Sequence, residues 1–218
     1  MNSGYDLVIF DCDGVLVDTE AIDDLIVSSL LKEIGLDIEP HEVATKSIGL
    51  SDTDMWKQYE KEFGRPLPAD MISRHTARVI EAFQKDLKPM PGVKAVVQML
   101  SESAVPICIA SNGSIEKMNV TLDITGLIPY FDGNIFSADQ VDKGKPDPEL
   151  FLLAAKTMGF EPGQCVVIED SRPGVVGALA AGMTVLGYCP NGDTWNLGDL
   201  GVTTLSNMSV LPQLIGLN

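Results

Sequence analysis

The chain has 218 residues, 45% hydrophobic and 21% charged, the balance of a folded globular protein with one substantial core and room for a second small domain. Fifteen basic residues against thirty-one acidic ones give a formal charge of −16, which argues against nucleic acid or an anionic membrane as partner. No apolar run approaches bilayer length, and Asp6 and Asp11 interrupt the opening stretch, so neither a membrane span nor a signal peptide is expected and the cytoplasm is the expected location.

Leu7, Val8, Ile9 and Phe10 form a short unbroken apolar run, the pattern of a strand buried on both faces of a parallel sheet. The run stops on Asp11, followed by Asp13 and Gly14. From residue 21 to about 87 no strand-like run occurs. Ile22, Leu25, Ile26, Leu30 and Ile34 recur at helical spacing, and Gly35 reads as a helix C-terminal cap. Further helices are expected over 52–63 and 69–83, with Pro66 and Pro68 between them. An insert of this length exceeds one crossover helix, so a separate helical domain is expected over 19–88.

Alternation of strands and helices then resumes. A helix is expected over 93–100, a strand over 105–110 (VPICIA), a helix over 115–124 and a strand near 134–137. A helix follows from Pro148 or Glu149, with proline suited to the first turn. A strand over 165–168, a small-residue helix over 174–181 and a strand over 184–187 come next, then a short strand at 202–205 and a last helix. The expected core, residues 1–18 and 89–218, is a Rossmann-like, mostly parallel α/β sheet covered on both faces.

Cys12, Cys108, Cys165 and Cys189 form neither a CxxC pair nor a zinc pattern. Cys108 and Cys165 read as small buried filler, while Cys12 sits beside Asp11 and is a candidate for oxidation, although nothing in the sequence marks a lowered thiol pKa. Reactive groups instead gather at strand ends: Asp11 and Asp13, Ser111 with Asn112, Lys145 in GKPDP, and Glu169 with Asp170. Taken singly, each has an ordinary reading as a turn, a helix cap, a surface lysine or a solvated acidic loop. Parallel strands, however, would bring all four groups to one edge of the sheet, where open α/β sheets place their ligands. Two aspartates leaving a strand into a tight turn can supply a nucleophile, a proton donor and hard oxygen ligands together.

The motifs DCDGVLVDTE, ASNGS, GKPDP and VIEDS, in this order across the whole core, resemble those of the haloacid dehalogenase-like superfamily. The helical insert resembles the cap of the branch holding β-phosphoglucomutases and sugar-phosphate phosphatases, among them the 6-phosphogluconate-type phosphatases. The resemblance implies that Asp11 is the nucleophile, forming an aspartyl-phosphate, and that Asp13 is the acid and then the base. It implies phosphate binding by Ser111, Asn112 and Lys145. It also implies Mg²⁺ held by the Asp11 carboxylate, the Asp13 main-chain carbonyl and Asp170, with Glu169 nearby or acting through water. Glu20, Gly49 and Asp52 are the implied substrate-reading positions of the cap, and Asp18 and Thr19 the implied hinge.

The expected partner is a small phosphorylated metabolite, and a monomer or weak dimer is the expected state. The alternative is a phosphohexomutase. The mutases of this branch carry a His where this chain has Asp23 and an Arg where it has Asp52, so hydrolysis is the favoured reading. A phosphoacceptor receiver domain is the third, weaker reading. Receivers place the acceptor aspartate after a later strand and lack a helical insert after the first.

Overall fold

Strand β1 (Leu7–Phe10) has every residue buried and lies inside a six-stranded sheet, because its unbroken apolar run has no side to offer water. The computed structural model describes residues 4–47, 52–131 and 133–217, with the side chains of 52–54 outside the description. The other strands are β2 (Ile107–Ser111), β3 (Ile135–Ser137), β4 (Cys165–Glu169), β5 (Thr184–Tyr188) and β6 (Thr203–Leu205). Their order is β3-β2-β1-β4-β5-β6, and every neighbouring pair is parallel. Register pairs Phe10 with Ile109 on one side and with Ile168 on the other. The next residues on these three strands are therefore brought together at one edge: Asp11, Ala110 with Ser111, and Glu169. Edge strand β6 is short and mostly exposed, which limits what it offers a foreign strand.

Helices cover both faces, as parallel strands require. Leu7, Ile9, Cys108, Ala110, Cys165, Val167 and Val185 form one continuous core with Leu150, Phe151 and Ala154 of α7 (Glu149–Met158) and with Val175 and Ala178 of α8 (Arg172–Ala180). On the other face Phe10 meets Phe131 edge to face, with ring centroids 6.3 Å apart. Helices α5 (Val93–Glu102) and α6 (Ile115–Thr125) bury Val93, Val96, Leu100, Met118 and Leu122. A last short helix, α9, spans Leu211–Leu214.

The chain divides into two compact units, Met1–Val17 with Lys88–Asn218 and, separately, Asp18–Leu87. The second is all-helical among its described residues: α1 (Glu20–Glu33), α2 (Pro40–Ser47), α3 (Asp52–Phe63) and α4 (Met71–Asp86). Its core joins Val27, Leu30, Leu31, Val43, Met55, Trp56, Tyr59 and Met71. Helix α2 has no counterpart in the sequence reading, because Val43 is its only buried residue and a lone apolar position carries no periodicity. Among the described residues no helix is long and apolar enough to cross a membrane.

Ile9 is fully buried in the middle of the sheet. Ile9→Ala is expected to lower unfolding free energy by about 3 kcal/mol, through lost burial plus an unfilled cavity. Urea unfolding followed by fluorescence measures this, and a loss below about 1 kcal/mol would contradict the central place given to β1.

Candidate active site

Lys145 lies in the loop between β3 and α7, with its side chain almost wholly buried. Its ammonium donates to Asp11 Oδ1 at 2.5 Å and to Glu169 Oε1 at 2.6 Å, and stands 5.1 Å from the Phe151 ring centroid. These partners come from the ends of β1 and β4 and from α7, so the pairing exists only in the folded sheet. Burial opposes the charge on Lys145, but Asp11 and Glu169 outweigh it and raise the Lys145 pKa. Burial pushes the Asp11 carboxyl up to about 8 against the pull of Lys145, with Glu169 and Asp13 adding to the rise.

Glu169 is fully buried, and both of its oxygens are engaged. Oε1 faces Lys145, while Oε2 accepts from Ser171 N at 2.8 Å and Ser171 Oγ at 2.9 Å. Its carboxylate lies against Gly174, in the first turn of α8, where an added Cβ would overlap Oε1. Glu169, expected beside the metal, is thus occupied in fixing Lys145.

Asn112 clasps the main chain of Lys145. Its Oδ1 accepts from Lys145 N at 2.9 Å, and its Nδ2 donates to Lys145 O at 3.2 Å. Its amide thereby positions the lysine loop. Ser111, buried at the end of β2, accepts from Gly113 N at 3.1 Å through Oγ, and Ser137 Oγ donates to Gly113 O at 2.7 Å. The loop 111–114 is therefore held from two strands.

Asp13 lies in a turn closed by Gly14 N donating to Val17 O and Leu16 N to Cys12 O, both at 2.9 Å. Gly14 has φ +79°, and a Cβ there would overlap the Asp170 carboxylate. Asp170 therefore sits directly against the turn that carries Asp13. Lys117, in the first turn of α6, donates to Asp13 Oδ2 at 3.2 Å. No motif pointed to this lysine, since its distance from Asp13 in sequence hides the contact. Cys12 is buried, and burial raises its thiol pKa well above the ordinary value, with Asp13 and Asp11 adding to the effect. That corrects the expectation of an oxidation-prone thiol.

The donor chemistry suits a hard divalent cation. Asp11, Asp13 and Asp170 present only oxygens, and Lys145 alone cannot neutralise both Asp11 and Glu169. Among the described residues no three His, Cys, Asp or Glu side chains already converge as a metal cluster. A magnesium site completed by a phosphate and waters needs fewer, and two carboxylates with the Asp13 carbonyl would serve.

In the helical unit Glu20 opens α1. Asp23 meets His75 Nε2 at 2.9 Å, and the Trp56 ring lies 5.4 Å from the His75 ring. Asp24 is pushed up to about 7 by burial, then by Asp23 and Glu20. Gly49 lies outside the described residues, and Asp52 is described only as the first residue of α3. Trp56 and Tyr59 are buried in the unit's own core. Arg74 and Arg78 both pair with Glu33, and Lys46 pairs with Glu62.

The fit of Glu169 against Gly174 yields a test. Gly174→Ala is expected to lower stability by about 3 kcal/mol, because the Glu169 carboxylate must leave its place or the helix must shift. Gly163→Ala, with nothing within reach of the added methyl, is expected to stay within about 0.5 kcal/mol of the parent. Urea midpoints compare the two, and equal midpoints would contradict the packing described.

Comparison with known proteins agrees with this geometry. The family model for haloacid dehalogenase-like hydrolases matches residues 5–182. The chain is 31% identical over 214 residues to 6-phosphogluconate phosphatase of Escherichia coli K12, covering 97% of this chain and 95% of that one. A haloacid dehalogenase-like protein of Agrobacterium tumefaciens C58 superposes with a TM-score of 0.84 at 38% identity, covering 97% and 98% of the two chains. A HAD family hydrolase of Deinococcus radiodurans R1, solved with bound phosphate and sodium, does so with a TM-score of 0.84 at 30% identity, covering 97% and 96%. With its strand order, its strand-end acids and its buried lysine, this chain belongs to the haloacid dehalogenase-like hydrolases.

Proposed function

We propose that the chain is a Mg²⁺-dependent phosphatase that hydrolyses a small phosphorylated sugar or sugar acid through an aspartyl-phosphate on Asp11. The carrying observation is the buried contact of Asp11 with Lys145 at the end of the first strand. A carboxylate beside a buried cation at a strand end is suited to attack phosphorus, because phosphoryl transfer is mainly positioning and charge stabilisation. The 6-phosphogluconate phosphatase similarity over nearly the whole chain supports the substrate class.

In this reading the Asp11 carboxylate attacks phosphorus and the bond from phosphorus to the substrate oxygen breaks. Asp13 gives that oxygen its proton, releasing the alcohol. Asp13, now a carboxylate, takes a proton from water as the water oxygen attacks the same phosphorus. The bond to Asp11 breaks, and inorganic phosphate leaves. Lys145, the Ser111 hydroxyl and the loop N–H groups hold the phosphoryl oxygens. Asn112 acts through the main chain of Lys145. Mg²⁺ held by Asp11, Asp170 and the Asp13 carbonyl would supply charge neutralisation, without which Asp11 repels a phosphate dianion.

The helical unit is proposed as the cap that reads the leaving group, with Glu20, Gly49 and Asp52 as its candidate positions. A core that contacts only phosphate cannot choose among alcohols. Asp23, which holds His75 within that unit, stands where the mutases of the branch carry a histidine.

Purified enzyme offered 6-phosphogluconate, or a hexose 1-phosphate with a bisphosphate activator, is expected to release free phosphate, to stop on chelation and to recover with Mg²⁺. Asp11→Asn is expected to fold and to lose essentially all turnover. Isomerised sugar outpacing phosphate release would replace the phosphatase by the mutase, and full turnover after chelation would remove the metal.

A further inference from the structure

Lys117 occupies the third position of α6, where helix electrostatics disfavours it. The N-terminal turn carries partial positive charge, so acids are stabilised there and a cation is not. The turn itself is firmly set, with Ser114 Oγ accepting from Lys117 N at 3.2 Å. Side chains on a helix lean toward its N-terminus. The Lys117 ammonium accordingly returns to the sheet edge and stands 3.2 Å from Asp13 Oδ2. That oxygen lies over Gly113, 3.6 Å from where a Cβ would be, and the same point is 3.5 Å from Ser111 Oγ. The Asp13 carboxylate is thus bracketed by the loop after β2 and the first turn of α6.

A purely structural role does not explain the arrangement. The side chains of Lys117 and Asp13 keep 44% and 25% of their exposure, and an ion pair that wet adds little to stability. A cation set against the helix dipole and beside an acid at the sheet edge is placed for that acid more than for the helix.

We propose that Lys117 is a positioning residue for Asp13, selecting the rotamer in which Oδ2 lies against α6 over Gly113. The inference rests on the phosphatase reading for what Asp13 then does, namely protonate the leaving oxygen and later accept a proton from water. Lys117 exchanges no proton and makes no bond in either step. It acts through the direction of one carboxylate, and misplacing a reacting group by about 1 Å costs on the order of a hundredfold in rate.

The test compares the parent, Lys117→Met and Lys117→Arg, each also combined with Asp13→Asn, using 6-phosphogluconate and para-nitrophenyl phosphate as probes. Lys117→Met is expected to lower kcat by roughly two- to fivefold, the most a half-exposed ion pair can hold, while KM stays within about twofold. Lys117→Arg should restore most of the rate. In the Asp13→Asn background the Lys117 substitution should change nothing further, since the two act as one unit. A raised KM with unchanged kcat, or an undiminished effect in that background, would show Lys117 contacting substrate itself and overturn the proposal. Crystal structures of the parent and Lys117→Met give an arm independent of turnover. The Asp13 carboxylate should leave Gly113 in the variant, and an unmoved carboxylate would overturn the proposal. A parent inactive on both probes would count against the phosphatase reading, while the crystal comparison would still decide whether Lys117 places Asp13.

Discussion

The structure depends on one buried lysine held between two buried carboxylates. Lys145 meets Asp11 and Glu169 at 2.5 and 2.6 Å in a place nearly closed to water. Removing ions from water is expensive, and such a cluster survives only with close geometry and further hydrogen bonds. The fold supplies both. The β2-β1-β4 order sets the Asp11 and Glu169 strand ends side by side, Ser171 takes the second oxygen of Glu169, and Asn112 fixes the backbone of the lysine. Breaking one partner of a buried pair leaves an uncompensated charge, typically at a cost of about 3–5 kcal/mol. The cluster is therefore a constraint on folding as well as a candidate site.

The same cluster is short of positive charge. Two carboxylates face one ammonium, and burial already pushes Asp11 up to about 8. With a formal charge of −16 the chain has no general attraction for an anion, so a phosphate must be drawn by local groups alone. In the proposed reading, a hard cation beside Asp11 and Asp170 would correct both deficits at once, favouring the ionised form of Asp11 and admitting a phosphate. Local charge is thus the common thread from the turn at Gly14, which admits Asp170, to the reading of the site as a phosphatase.

Much of this was legible in the chain because it is written in runs and ends. Buried parallel strands such as LVIF and CVVI announce themselves as unbroken apolar stretches, and acids where those runs stop mark the candidate functional edge. What pattern cannot carry is the direction in which a side chain points. Spacing placed Glu169 beside Asp170 but could not tell that its oxygens turn toward Lys145 and Ser171. Asn112 followed Ser111 in a phosphate-type loop, yet its amide holds a main chain from another loop. Lys117 belongs to no strand end and meets Asp13 only through the tertiary fold. Helix α2, with one buried residue, left no periodic trace.

The central claim is that phosphate passes through Asp11. The most direct measurement is a rapid quench of the enzyme with phosphate-labelled substrate in the presence of Mg²⁺, followed by peptide mass spectrometry. The account predicts a transient, acid-stable phosphoryl group on the peptide spanning the end of β1, located on Asp11 and absent from Asp11→Asn. Label on another residue, or turnover with no labelled protein even where hydrolysis of the intermediate has been slowed by Asp13→Asn, would contradict it.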